Sequence, residues 1–265
     1  PYSSNPYNGS CVDYKGALWD GFTLTGGAIN SNSLTSNGRN GGAGAAIYKN
    51  VTLKNCVVTN NLLYNSSTDS GGSGGYGRAG GVYLDNGTIV NCYIINNKLM
   101  GYSTTGNTSY CVCYGGGVYM YSGTMYNTVI AKNEVKAKWA EGAGVFMEEG
   151  YFFNNTCIGN KATCDNINGR GSGGISIWCN ADGGKSLYVF NTISIDNETS
   201  TGQKLGDKNI SVTTNGVINC FNCISTLNPS KTYSSGYNKI LFNNCVQFDE
   251  SKRNELFSSA TGTTF

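Results

Sequence analysis

This 265-residue chain contains no histidine at all. That removes every Ser-His-Asp or histidine-based acid–base site from consideration. Charged residues make up only 13%, against about 25% in an ordinary soluble domain. The net charge is +2 with no basic cluster, so nucleic acid is not an expected partner. Prolines number three. No apolar run approaches the ~18 residues that a membrane-spanning helix needs. Arginine occurs only at Arg39, Arg78, Arg170 and Arg253. Carboxylates are sparse, which limits hydrolytic or calcium chemistry built on acidic clusters.

What the chain has instead is asparagine, serine, threonine, 38 glycines and 11 cysteines. A short unit recurs, typified by Thr88-Ile89-Val90-Asn91-Cys92-Tyr93-Ile94-Ile95-Asn96-Asn97. Its central asparagine returns as Asn55, Asn91, Asn127, Asn154, Asn191, Asn222 and Asn244, with Asp20 as a variant first copy. The spacings are 36, 36, 27, 37, 31 and 22. A closing asparagine returns as Asn61, Asn97, Asn133, Asn160 and Asn197. A Gly-Gly or Ala-Gly landmark precedes four of the copies: Gly80-Gly81-Val82-Tyr83, Gly116-Gly117-Val118-Tyr119, Ala143-Gly144-Val145-Phe146 and Gly173-Gly174-Ile175; the last two copies lack it. Periods of 20–50 residues signal stacked repeats, and the alternating apolar residues make the unit from strands.

The expected fold is therefore all-β, a single-stranded right-handed parallel β-helix of about eight rungs with an asparagine ladder. Equivalent asparagines then stack about 4.8 Å apart, the strand spacing, and each amide donates to and accepts from the next. The expected organisation is an N-terminal cap or linker at 1–16, the solenoid at 17–250 and a C-terminal cap or linker at 251–265. The abrupt start at Pro1-Tyr2 reads as a mature product or an excised piece of a longer chain. The positions two before the central asparagine, such as Leu53, Ile89 and Met125, are expected to face inward. So are those two and four after it, such as Val57/Thr59, Tyr93/Ile95 and Val129/Ala131. Segments 26–42, 62–79 and 98–115 read as loops leaving one corner, where they would build one wall of a groove. Residues 134–141 are the one helix-compatible stretch.

Trp19-Asp20-Gly21-Phe22-Thr23-Leu24-Thr25 resembles a rung of the right-handed parallel β-helix family, the fold of pectate lyases and of many bacterial surface proteins. The Asn-Cys, Asn-Asn and Gly-Gly-Val-Tyr elements are similar to those of bacterial surface-exposed β-helix proteins. The resemblance covers roughly residues 17–250 and implies fold more than activity, because this fold hosts lyases, hydrolases, adhesins and proteins without chemistry.

In the strand after each Gly-Gly, the residues between the inward ones are Tyr83, Tyr119 and Phe146, followed by Asp85, Tyr121, Glu148 and Trp178. Two readings stand. Tyr83, Tyr119, Tyr121, Phe146 and Trp178 form an exposed aromatic stripe on which a glycan stacks, or they pack beneath loops or a partner domain. Catalytic candidates are Asp85, Glu141 and Glu148. Glycoside hydrolysis wants two carboxylates about 5–9.5 Å apart, and these stand on separate rungs or strand faces. No family catalytic motif carries over residue by residue. No cofactor or metal site is expected; a lyase-type site would bring calcium. Cys56, Cys92, Cys223 and Cys245 follow the ladder asparagine and read as a buried row. Cys111, Cys113 and Cys164 fall in the loop segments, where a disulfide is open to them. Cys220-x-x-Cys223 has metal-ligand spacing but sits on a rung.

The functional expectation is a secreted or cell-surface bacterial protein, an adhesin-like module that binds glycan or another surface without catalysis. The alternatives are a polysaccharide lyase or glycoside hydrolase on the same fold, and a structural or assembly component whose stripe another chain covers.

Overall fold

The computed structural model describes residues 16–31, 42–67, 76–103, 111–165, 172–178, 186–200, 207–212, 217–227, 229, 231, 233–235 and 238–249. The expected caps, 1–16 and 251–265, lie outside the described residues except for Gly16, as do the middles of the expected loops. What is described is a parallel β-solenoid. Its third coil shows the full plan, in strands Gly87–Val90, Tyr93–Ile95, Lys98–Ser103, Val112–Tyr114 and Val118–Met120. Stacked on their equivalents, these strands make five sheets, here called A, B, C, the short sheet and D. Sheets A and B each hold eight parallel strands, and an antiparallel strand, Tyr233–Ser235, closes the C-terminal edge of A. Sheets C and D hold six strands each and the short sheet three. The eight expected rungs are thus complete over only about five turns.

The asparagines set the corners. Asn55, Asn91, Asn127, Asn154, Asn191, Asn222 and Asn244 all have φ between 46° and 55°, the left-handed region that asparagine enters more readily than other side-chain-bearing residues. They form the bend between sheets A and B. Their amides bond along the axis: Asn91 donates to Asn55, Asn191 to Asn154, Asn222 to Asn191 and Asn244 to Asn222, and Asn55 donates to Asp20. This ladder is exposed to solvent. The buried ladder is the closing one. Asn61, Asn97, Asn133, Asn160, Asn197 and Asn209 bond in sequence at 2.8–3.1 Å, and each of the first five also takes a backbone N–H from, or gives one to, its neighbour.

The left-handed bend corrects one expectation. A straight strand alternates inward and outward. One residue at positive φ breaks that parity, so Leu53, Cys56 and Val58 all point inward and Val57 and Thr59 point out. The same holds on later rungs. Ile94 and Ile130 are fully buried, while Tyr93 is 54% exposed. The positions two before the asparagine do face inward: Leu53, Ile89, Met125, Phe152, Val189 and Cys220 stack in register in the main core. Burial of each large apolar side chain stabilises by about 1.5–3 kcal/mol.

The expected loops at one corner are partly strands. Leu62–Ser67, Lys98–Ser103 and Tyr76–Arg78 extend the coil into sheet C and the short sheet. The helix-compatible stretch is two strands, Glu134–Ala137 and Trp139–Glu141. Neighbouring rungs already present unpaired backbone on both sides, and Val135 and Ala137 supply the inward face, so tertiary pairing overrides a weak helical propensity. Outward on sheet C, charges alternate from rung to rung. Lys98 meets Glu134 and Lys161 meets Glu198, both at 3.2 Å.

Nine cysteines among the described residues are free thiols. Cys56, Cys92 and Cys223 are buried as the expected row, with Cys245 at its half-exposed end. Cys111, Cys113 and Cys164 are buried in a small second core with Leu63, Leu99 and Val135. Cys111 and Cys113 lie 4.0 Å apart, sulfur to sulfur, and are not bonded.

Candidate functional site

The short sheet and sheet D meet at the Gly-Gly turn, and the residues flagged by the sequence come together in that corner. The turn is tight because the rungs crowd there. A Cβ on Gly81 would stand 2.5 Å from the carbonyl oxygen of Gly117, and one on Gly117 would stand 2.7 Å from that of Gly144. Only glycine lets the backbones approach this closely.

On the short sheet, Gly77, Cys113 and Ala140 share one register position, and Cys113 and Ala140 belong to the second core. The adjacent register position brings Arg78, Tyr114 and Glu141 side by side. On sheet D, Tyr83, Tyr119 and Phe146 are in register with Ser176. They point away from the main core, as expected, but are not exposed. All three have 0% of their surface accessible. With Ala46 and Ala79 they form a third core, against which Tyr48, Tyr114, Tyr121 and Trp178 pack, half-buried. The open aromatic stripe is therefore overturned: the short sheet folds over it, which is the packed alternative. The rings stack along the axis, Tyr83 on Tyr119 at 5.5 Å and Tyr119 on Phe146 at 5.4 Å. Tyr114 crosses from the short sheet to Phe146 at 4.2 Å.

Polar groups surround this aromatic floor. The Arg78 guanidinium lies 5.1 Å over the Tyr119 ring, a cation–π contact. The Tyr119 hydroxyl donates to Glu148. Ser176 donates to Glu141 at 3.5 Å. Burial pushes the Tyr114 phenol well above its usual range, and the nearby Glu141 charge adds to that. Burial likewise raises Tyr119; Arg78 opposes the shift and Glu148 reinforces it. Both phenols stay protonated, and Tyr119 donates to Glu148. Arg78, Glu141 and Glu148 each act on the Tyr114 phenol, the two carboxylates raising it and the guanidinium lowering it. Asp85 is buried at the turn from sheet D to sheet A. It accepts from Ser122 at 3.1 Å and from Asn86 at 2.8 Å, which ties it to turn geometry.

The sequence thus named Glu141 and Glu148 but not their shared neighbour Tyr114, which depends on pairing with the strand 139–141. Arg78 and Tyr114 were missed as partners. A signal for them exists: Arg78, Tyr114 and Glu141 each stand three residues before the second glycine, or its equivalent, of the landmark. Among the described residues, no group of three or more His, Cys, Asp or Glu side chains is placed to hold a metal ion. The Cys223 thiol donates to the Val189 and Phe221 carbonyls, and the neighbouring Cys220 lowers it. No helix among the described residues is long and apolar enough to cross a membrane. Comparison with protein-family models, with curated proteins and with solved structures finds no match to this chain.

Proposed function

We propose that the chain is a carbohydrate-binding β-solenoid, displayed at or outside the cell surface, that holds a glycan at the corner between the short sheet and sheet D. The observation that carries this reading is the shared register of Arg78, Tyr114 and Glu141 on the short sheet, packed against Tyr119 and Phe146 of sheet D, with Glu148 on the Tyr119 hydroxyl. Half-buried Tyr114, Tyr121 and Trp178 supply apolar contact with polar tips, while Arg78 and Glu148 supply the donors and acceptors that hydroxyl groups require. Strained phenol ionisation beside a charged cluster is a common mark of a functional site. The resemblance of the rung motif to pectate-lyase-like solenoids agrees with a polysaccharide ligand.

A second reading, cleavage of that glycan, draws on one specific observation. Two carboxylates, Glu141 and Glu148, both raise the Tyr114 phenol beside Arg78, and glycosidic hydrolysis works through two carboxylates.

The test is a panel of soluble polysaccharides, read by gel retardation and by product release. Retardation without products, abolished in Trp178→Ala and Arg78→Gln, supports a binding module. Products that vanish in Glu148→Gln make it an enzyme. Neither retardation nor products across the panel removes the carbohydrate reading and leaves a structural role.

A further inference from the structure

The corner site does not end at Phe146. On the outer face of sheet D, successive rungs place Ala46, Tyr83, Tyr119, Phe146, Ser176 and Ser211 in one register column. Three rings are followed by two hydroxyls, and all five side chains are fully buried. The change falls beside Glu141, itself buried, which ends the short-sheet column of Arg78 and Tyr114. Ser176 donates to Glu141 across the corner at 3.5 Å, so the first hydroxyl of the column meets the carboxylate. Trp178, half-buried, stands two residues beyond Ser176 and lies 6.3 Å from both Tyr114 and Phe146, ring to ring.

Ser211 departs from the other buried serines. Among the described residues, buried Ser122, Ser172, Ser176, Ser194 and Ser225 each make a hydrogen bond. The Ser211 hydroxyl, equally buried, has no partner. Buried hydroxyls are nearly always bonded, and one left alone destabilises the fold. Ser211 stands one rung beyond the Ser176–Glu141 contact, on the same face of sheet D. Its unmet bonding capacity therefore belongs to this corner. The corner also has an excess of negative charge. Two carboxylates, Glu141 and Glu148, act on the Tyr114 phenol against one guanidinium, Arg78.

We propose that this polar end is a subsite for a protonated amine, and that the glycan held at the corner is one with unsubstituted amino groups; the inference rests on the carbohydrate reading above. An ammonium group brings three donors and no acceptor. Glu141, Ser176 and Ser211 offer it a carboxylate and two hydroxyl oxygens. Its charge offsets the excess of carboxylates, and aromatic faces such as those of Tyr114, Phe146 and Trp178 attract cations. A neutral hydroxyl would bond to the serines but leave that excess in place. A carboxylated sugar would meet Glu141 and Glu148 as like charges. A calcium ion takes about six to eight oxygen ligands, more than these three side chains supply. Only the small ammonium group has to pass beneath the surface, while the sugar ring stays at half-buried Trp178 and Tyr114.

Binding of two hexamers to the whole chain tests this: a glucosamine hexamer, with free amines, and its N-acetylated counterpart, with the same backbone and no charge. The amine form is expected to bind at least about tenfold more tightly, the worth of one charge-assisted hydrogen bond. Ser211→Ala is expected to weaken the amine hexamer by about tenfold, while the thermal midpoint of the free chain stays level or rises, because an unpartnered hydroxyl is removed. Glu141→Gln is expected to abolish the preference between the hexamers. Ser194→Ala, which removes a hydroxyl bonded to the Asn209 carbonyl, is expected to lower the midpoint and keep the preference. Glu198→Gln, an exposed carboxylate on sheet C, is expected to leave binding unchanged, which separates the subsite from general attraction of a polycation. Equal binding of the two hexamers overturns the amine subsite and leaves the carbohydrate reading standing. So does native affinity in Ser211→Ala, an equal loss in Glu198→Gln, or a chain that retains other polysaccharides but neither hexamer. A chain that retains neither hexamer nor any polysaccharide of the wider panel overturns both.

Discussion

Asparagine occupies two kinds of position in this chain, and the two differ in what they contribute. At the A/B bend it is exposed and serves mainly to reach positive φ. There Asn191→Gly, which also reaches that region, is expected to cost no more than about 1.5 kcal/mol, because its two side-chain hydrogen bonds, to Asn154 and from Asn222, are exposed and each lies at the low end of about 0.5–1.5 kcal/mol. In the closing ladder it is buried. Asn133 accepts from both the backbone and the side-chain nitrogen of Asn97, and donates to Ile94 and Asn160. Replacing it by alanine strands two buried donors of Asn97, at about 1–3 kcal/mol each. We expect Asn133→Ala to lose at least 3 kcal/mol in chemical denaturation, roughly twice or more the loss in Asn191→Gly. The thiols set the alkaline limit. Burial raises Cys92 to about 11 and Cys157 to about 12, from 9.0. A raised thiol keeps its proton in the folded state while the unfolded chain gives its proton up, so this stability is whole below pH 9 and lost as pH climbs toward 12. At about 1.4 kcal/mol per unit, Cys157 alone removes roughly 4 kcal/mol by pH 12. Thermal midpoints measured from pH 7 to 11 are expected to be flat up to about pH 8.5 and to fall above it.

At the level of the strand, the Gly-Gly landmark is a steric requirement. Gly117→Ala would press a methyl onto the Gly144 carbonyl and the Asn133 amide, and overpacking of this kind costs about 1–3 kcal/mol. The expected outcome is a lowered denaturation midpoint caused by contacts; Gly159→Ala meets only Lys132, at 3.9 Å, and would lower the midpoint instead through its left-handed backbone, φ 65°. The same element explains what the sequence could and could not reveal. The recurrence of asparagine and Gly-Gly made the solenoid legible, and Leu53, Ile89 and Met125 were readable as core. The residues after the bend were not. A single left-handed residue reverses their facing, and alternation alone carries no mark of it. The corner site was half legible for a related reason. Glu141 and Glu148 were visible as acids, but Arg78 and Tyr114 lay in stretches whose glycine and serine content reads as loop. Only lateral pairing, a long-range event, makes those stretches strands.

Over the whole molecule, completeness falls toward the C-terminus. Among the described residues, rungs 217–226 and 238–247 have strands in sheets A and B alone. Stability in stacked repeats sums intrinsic and neighbour terms, and these rungs lack two of the usual interfaces. Hydrogen exchange followed by mass spectrometry is expected to show their amides exchanging well before those of residues 87–131; equal protection would mean that the solenoid opens only as one unit. The molecule also separates its surfaces by kind. Charge lies on sheet C and in the corner below sheet D, and apolar surface lies across A and B.

The direction of the hydrogen bonds has a mechanical consequence. They run parallel to the solenoid axis, while the backbone of each rung runs across it. A load applied between the chain ends therefore peels one strand edge at a time instead of shearing a whole sheet. Thirty-six residues separate the stacked Asn97 and Asn133, and 27 separate Asn133 and Asn160. Each turn that gives way then releases roughly 120 Å or 90 Å of slack chain, so under tension the protein is a yielding tether that lengthens in steps, with the unpeeled turns still folded.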